Sequence, residues 1–187
     1  MIDNTQMPRK DRLRRVVILC CSFARNLAYY RVAWSKEYRH LLNLTNAYAN
    51  FWRAANNNFI DMCVLEWCKL FADTQGKHHW GKIVTSVPKS VFEESLLRHL
   101  GLEADAFRKE INVMRHYRDK FIAHLDSDYT VTIPLLDVPK KAVWFYHAHI
   151  VKHEAKASDL AGLPLDLETG YKQTEDEARA VYQRNNQ

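Results

Sequence analysis

Glycine and proline are scarce in this sequence, with five of each among 187 residues. An all-β fold is therefore excluded, because its many turns depend on these two residues. A nucleotide fold built on a glycine-rich phosphate loop is disfavoured for the same reason. Hydrophobic residues make up 47% of the chain, which is enough for a packed core. We expect one domain over residues 1–187, with flexible ends at 1–7 and 184–187.

Cysteine is also sparse, and its four positions form no C-x-x-C pair. This spacing excludes a zinc knuckle and gives no disulfide framework, so we predict reduced thiols in the core. Long hydrophobic runs are missing too. The run VVILCC, residues 16–21, is too short for a signal peptide or a membrane span. The sequence therefore predicts a cytoplasmic protein without a membrane partner.

Positive charge is concentrated near the N-terminus. The whole chain has a net charge of +5, whereas residues 1–40 alone hold nine Lys or Arg residues and three acids. Such a basic segment suits a polyanionic partner such as nucleic acid. A solvated helix face would give the same composition, so both interpretations stay open.

Apolar residues recur at intervals of three and four along most of the chain, as they do in amphipathic helices. The longest predicted helix covers residues 47–72, with Asn46 as its N-cap. A second cap is assigned to Asp137, before a helix over 138–155. The segment 127–139 is predicted to be an extended connection. Further helices are predicted over 8–30, 88–100, 103–125 and 166–183. The fold class is an all-α bundle of five to six helices.

The segment RHYRDKFIAHLDSD, residues 115–128, carries charged side chains on a helix that must also face the core. At about 100° per residue, Arg118 falls in the centre of the apolar stripe. His124 lies about 120° further round and about 9 Å along the axis, and Asp119 lies on the other flank. A buried guanidinium is costly unless it is paired or opens to a cleft. Arg118 is therefore either a structural ion pair, with Glu66 as the candidate partner, or part of a functional site.

Three stretches in order, NFIDMCVLEWCKLFAD, HHW and YRDKFIAHLD, resemble the abortive-infection branch of the HEPN superfamily (higher eukaryotes and prokaryotes nucleotide-binding domains). The likeness covers about residues 45–126 and includes the R-x(4–6)-H signature of that superfamily. It implies a HEPN-like helical bundle that acts as a homodimeric, metal-independent endoribonuclease on RNA, in phage defence. It also implies that Arg118 stabilises phosphate charge, that His124 transfers protons, and that Asp119 orients one of them. Neither a cofactor nor a metal is expected.

Two other functions stay open. The first is a catalytically silent HEPN module that binds nucleic acid, a nucleotide or a partner protein. The second is a metal-dependent hydrolase, because His149 and His153 lie one helical turn apart. No acid completes an H-E-x-x-H motif there, which argues against that site. Core packing is predicted for the aromatic residues Trp52, Trp67, Trp80, Trp144, Phe145 and Tyr146.

Overall fold

The computed structural model of the protein describes residues 7–122 and 132–184. The regular structure in these two ranges is entirely helical, which confirms the all-α bundle. The predicted flexible ends fall almost wholly outside the described residues, as does His124. The α-helices are α1 (Arg9–Ala33), α2 (Arg39–Leu42), α3 (Ala47–Trp67), α4 (Trp80–Ile83), α5 (Lys89–Leu100), α6 (Ala104–Tyr117), α7 (Asp137–His149) and α8 (Leu167–Arg184). The six long ones match the predicted helices, whereas α2 and α4 are single turns that the sequence did not indicate.

Three helices widen into a π-helical turn at their C-terminal ends. These turns are Cys68–Ala72 after α3, Arg118–Ile122 after α6, and Ile150–Glu154 after α7. Their bonds run from residue i+5 to residue i, as from the amide of Asp73 to the carbonyl of Cys68 at 2.8 Å. Side chains in and after these turns therefore point in directions that α-helical geometry does not predict.

Helix α1 lies at the centre of the bundle and packs against α3 and α8. It is also, among the described residues, the one helix long and apolar enough to cross a membrane by length and composition. Half of its apolar window is buried inside the bundle, as in the core helix of a soluble protein. Its buried residues are Leu13, Val16, Val17, Cys20, Phe23, Ala24, Leu27, Ala28, Val32 and Ala33.

Local capping chemistry explains several helix ends. Asn46 caps α3, because its side-chain oxygen accepts a hydrogen bond from the amide of Ala49 at 2.8 Å. Gly101 ends α5 with a positive φ of 67°, a conformation that costs glycine little. The predicted cap at Asp137 is wrong: α7 begins at that residue, and its carboxylate instead pairs with Arg31 at 2.5 Å.

Aromatic rings fill the middle of the core. Trp67 stacks on Phe71 with ring centroids 5.1 Å apart, and Phe71 meets Tyr146 edge-on at 5.7 Å. Of the predicted core aromatics, Trp67 and Tyr146 are buried, whereas the other four are only half-buried. The four cysteines are free thiols, three of them buried, as predicted.

Candidate functional site

Arg118 is the first residue of the π turn that ends α6, and its side chain is 21% exposed. The π turns at the ends of α3 and α6 meet here, and Arg118 lies between them. Its Nη1 donates to Asp73 Oδ1 at 2.5 Å, and its Nε donates to Asp119 Oδ1 at 2.8 Å. The guanidinium is therefore neither buried in the apolar seam nor freely solvated, but held at the surface by two carboxylates.

Asp73 is the residue that sequence reasoning missed. It follows the π turn of α3 directly, at the negative end of the helix dipole, where a carboxylate is unfavourable without a cation nearby. That position was the available signal, because an acid at a helix C-terminus needs a partner. Arg118 supplies that partner from the neighbouring helix.

The predicted alternative partner, Glu66, is wrong. Glu66 is buried on the face of α3 that meets α1, near the side chains of Ser22 and Asn26. Burial raises the pKa of Glu66, and these polar neighbours, together with Lys69, partly oppose the rise. The residue that reaches Arg118 lies seven positions further along the chain, past the start of the π turn.

The electrostatics around Arg118 follow from these contacts. The hydrogen bond to Asp119 raises the pKa of its guanidinium, partial burial lowers it, and Asp73 adds to the rise. Arg118 is thus a permanent cation. Cys68 lies close by, and burial raises the pKa of its thiol to about 12 although Arg118 favours the thiolate. Cys68 therefore stays protonated and does not act as a nucleophile.

Two further contacts fix the end of α6 against α3. Arg115 donates from Nη2 to the carbonyl of Ala72, the last residue of the α3 π turn. Tyr117 donates to Asp61 Oδ1 at 2.9 Å. Burial, followed by the Asp61 carboxylate, raises the pKa of Tyr117, so its hydroxyl stays protonated. The backbone that carries Arg118 is therefore anchored on both sides.

Of the three predicted site residues, the structure brings Arg118 and Asp119 together. The contact between them is of the orienting kind that the resemblance implied for Asp119. His124 belongs to the segment 123–131, which lies outside the described residues. Its role in the site remains a prediction.

Residues 11–134 of the chain match the family described as HEPN_AbiU2, AbiU2. The chain belongs to this family. The match spans well over half of the chain and includes both helix ends that form the Arg118 site. No curated protein and no solved structure shows significant similarity to the chain. The protein is therefore a HEPN-type, abortive-infection-related protein with an all-α bundle.

Part of the basic N-terminal segment of this HEPN protein serves its own fold. Arg14 donates to the carbonyls of Asp159 and Ala161 at 2.9 and 3.0 Å. Arg9 binds Glu154, and Arg31 binds Asp137. Three of the nine basic residues counted in this segment are thus engaged in tertiary contacts. Because these side chains are already engaged within the fold, the basic composition of residues 1–40 is weaker evidence for a polyanionic partner.

A dense cluster of hydrogen bonds surrounds Glu154, which the sequence did not single out. Its side chain is 1% exposed and accepts bonds from the amides of Thr85 and Ser86, both at 2.9 Å, and from the Ser86 hydroxyl at 2.7 Å. Arg9 adds an ion pair. Burial alone would raise the pKa of Glu154, but these bonds lower it to about 2. Glu154 is therefore a charged anchor that ties α1, the loop before α5 and the end of α7 together.

The histidine pair lies beside this anchor. His149 Nε2 lies 3.1 Å from Ser86 Oγ and 3.3 Å from Glu154 Oε1, and the rings of His149 and His153 are 5.0 Å apart. Serine, histidine and carboxylate meet here, but the same imidazole nitrogen faces both oxygens, so no proton relay of the triad type is formed. Within residues 7–122 and 132–184, no three His, Cys, Asp or Glu side chains group as metal ligands would.

Proposed function

We propose that this protein is a metal-independent endoribonuclease of the HEPN type, acting as a cytoplasmic homodimer in abortive infection of phage-infected cells. In this proposal Arg118 binds the scissile phosphate and stabilises its developing charge. His124 takes the proton of the ribose 2′-hydroxyl or gives one to the leaving oxygen. Asp119 holds the guanidinium in position. Family membership and the exposed face of Arg118 support the proposal.

The observation that carries it is how the hydrogen-bonding capacity of Arg118 is divided. Its Nε and Nη1 are held by Asp119 and Asp73, and no bond from Nη2 is found to any residue in the described ranges. Arginine donates in a rigid fork, so the two carboxylates fix the plane of the group and leave Nη2 for an oxyanion. A cation that is already oriented loses little entropy when a phosphate arrives.

The chemistry matches the residues assigned to it. The 2′-oxygen attacks the adjacent phosphorus, and the bond to the 5′-oxygen of the next nucleotide breaks. The proton leaves the 2′-hydroxyl, and the departing 5′-oxygen gains one. The products are a 2′,3′-cyclic phosphate or its 3′-phosphate hydrolysis product, and a 5′-hydroxyl end. Charge stabilisation and proton transfer are sufficient for the cleavage step, which uses no external nucleophile. Formation of the 3′-phosphate then consumes one water, which adds to phosphorus as the bond to the 2′-oxygen breaks.

The test is cleavage of a single-stranded RNA with product ends analysed by mass spectrometry. We expect Arg118→Ala and His124→Ala to abolish cleavage, and Asp119→Ala to reduce it less, because an orienting group assists without reacting. The matched controls are Arg39→Ala and His40→Ala, exposed residues of α2 with the same side chains, outside the region expected to form the dimer. DNA should survive because it has no 2′-hydroxyl. Cleavage of DNA, or full activity of His124→Ala, would refute the mechanism.

A second candidate function has support from the same contacts. Asp73 and Asp119 together offer two negative charges to one guanidinium, which suits an ion pair whose task is to join α3 to α6. The protein would then be a catalytically silent HEPN module that binds RNA, a nucleotide or a partner protein. Gel-shift binding of RNA without cleavage, unchanged in Arg118→Ala, would favour this alternative.

A further inference from the structure

A groove of about 620 Å³ opens between α5 and the C-terminal end of α7. This is the size range of small-molecule sites, which bury most of their ligand against apolar walls with a few polar groups. Val91, Ser95 and His99 line one side, one helical turn apart on α5. The groove shares none of its lining residues with the Arg118 site. Nothing in the mechanism proposed above uses it.

Aromatic and imidazole rings line the groove in an unbroken series. His99 lies 5.2 Å from Phe145, centroid to centroid, and Phe145 lies 5.5 Å from Phe92. Phe92 meets His149 at 4.9 Å, and His149 meets His153 at 5.0 Å. Phe92 is 1% exposed and the side chain of His149 is 11% exposed, so these two rings form the floor of the groove. The more accessible rings of His99, Phe145 and His153 offer stacking surface to a flat partner.

The charge of the groove has one sign. Lys152 is exposed on its wall, and among the described lining residues none is acidic. Glu154 lies behind His149, but its carboxylate is 1% exposed and is already bonded to Arg9 and to the loop before α5. The groove therefore presents ammonium and imidazole N–H donors to a ligand, and these donors suit an anion.

We propose that this groove binds a small planar anion: a ring system that stacks on the accessible rings of His99, Phe145 and His153, with an anionic group that reaches Lys152. Two kinds of metabolite share this chemistry, namely nucleoside monophosphates and aromatic carboxylates. The site is independent of RNA cleavage, and it stands whether or not Arg118 is catalytic.

The experiment is isothermal titration of the full-length protein with four probes. Adenosine 5′-monophosphate represents the nucleoside monophosphates, and indole-3-carboxylate represents the aromatic carboxylates. Adenosine has a ring system without the anionic group, and inorganic phosphate has the anionic group without a ring system. We expect saturable binding of at least one complete probe and weaker binding of both half probes. Lys152→Ala should weaken binding about tenfold, as expected for a lost hydrogen bond between charged groups. Lys141→Ala, an exposed lysine of the same helix outside the groove, should bind as the wild type does.

A second pair of variants separates charge from shape. Val91 is 44% exposed on the groove wall, so either substitution leaves the fold intact, which circular dichroism verifies. Val91→Glu should weaken binding of the anion, whereas Val91→Lys should retain or strengthen it. Three outcomes would overturn the proposal: no saturable binding of either complete probe, equal binding of phosphate alone, or equal affinity for the Val91→Glu and Val91→Lys proteins.

Discussion

Arg118 Nη1 lies 2.5 Å from Asp73 Oδ1, and this ion pair joins the C-terminal ends of α3 and α6. Both residues adjoin π turns, and both side chains are partly exposed, at 21% and 37%. The pair thus lies between two regimes: surface pairs contribute almost nothing, and buried pairs are costly to break. The free energy that this pair contributes therefore distinguishes a structural role of Arg118 from a role in a functional site.

The first prediction concerns the stability of that pair. Arg118→Ala should remain folded and lose about 1–2 kcal/mol of unfolding free energy, between the surface and buried limits. Asp73→Asn should lose less, because Arg118 keeps its pair with Asp119. The double variant should lose little more than Arg118→Ala, because the pair with Asp73 is already absent from that variant. Urea denaturation of the four proteins measures this cycle.

Arg108 provides the matched control for the cycle. It pairs with Asp105 on the same helix, but the two side chains are 71% and 81% exposed. Arg108→Ala should therefore change the unfolding free energy by less than about 0.5 kcal/mol. A loss of 3 kcal/mol or more for Arg118→Ala, on the order expected of a buried pair, would favour the purely structural role.

The second prediction concerns oligomeric state. One chain offers one Arg118 and one His124, whereas the proposed cleft uses both copies. We therefore expect a homodimer that pairs the region 103–125 with its symmetry mate. Light scattering at micromolar concentration measures the mass. A monomer under those conditions would count strongly against the ribonuclease proposal.

The third prediction concerns metal. Cleavage of RNA should be unchanged by EDTA, because the proposed mechanism draws its charge stabilisation from Arg118. His149→Ala and His153→Ala should also leave cleavage unchanged. A metal-dependent nuclease assayed in the same buffer is the control for chelation. Loss of cleavage that zinc or manganese restores would instead support the hydrolase hypothesis.

The fourth prediction concerns pH and Glu154. Its folded-state pKa of about 2 lies below the ordinary value of 4.5, so the folded protein favours the charged form. The stabilisation is complete above pH 4.5 and is lost as the pH falls towards 2. Glu154→Gln should cost about 1.5–3 kcal/mol at neutral pH, as for hydrogen bonds to a charged group. The difference from wild type should shrink below pH 4.5 in urea titrations.

Glu37 is the control for Glu154, because it pairs with Arg179 while 52% exposed. Glu37→Gln should change the unfolding free energy by no more than about 0.5 kcal/mol. If the Glu154→Gln deficit were the same at pH 3 as at pH 7, loss of shape and not of charge would be its cause.

The sequence predicted those features whose causes are local. The Asn46 cap depends on residues within one turn of each other, and it is confirmed. The unusual position of Arg118 was visible because a cation interrupts an apolar stripe. Its partner was not visible. Glu66 faces α1, and the actual partner, Asp73, follows the π turn that begins at Cys68.

The π turns themselves have no clear signal in the residues that form them. They arise where α3, α6 and α7 end against other elements, so tertiary packing determines them and a single helix pattern does not. The angle predicted between Arg118 and His124 assumed an α-helix throughout. Residues Arg118–Ile122 form a π turn, so the assumption fails over the part of this segment that the structure describes.

The contacts of α1 also set the order in which this protein can fold during synthesis. Arg9 and Arg14 of this helix are synthesised 145 residues before their partners, Glu154 and Asp159. Helix α8, which covers another face of α1, follows both partners in the chain. Contacts so distant in sequence form slowly and leave apolar surface uncovered meanwhile. The apolar face of α1 that packs on α8 is therefore expected to stay uncovered until α8 has been synthesised.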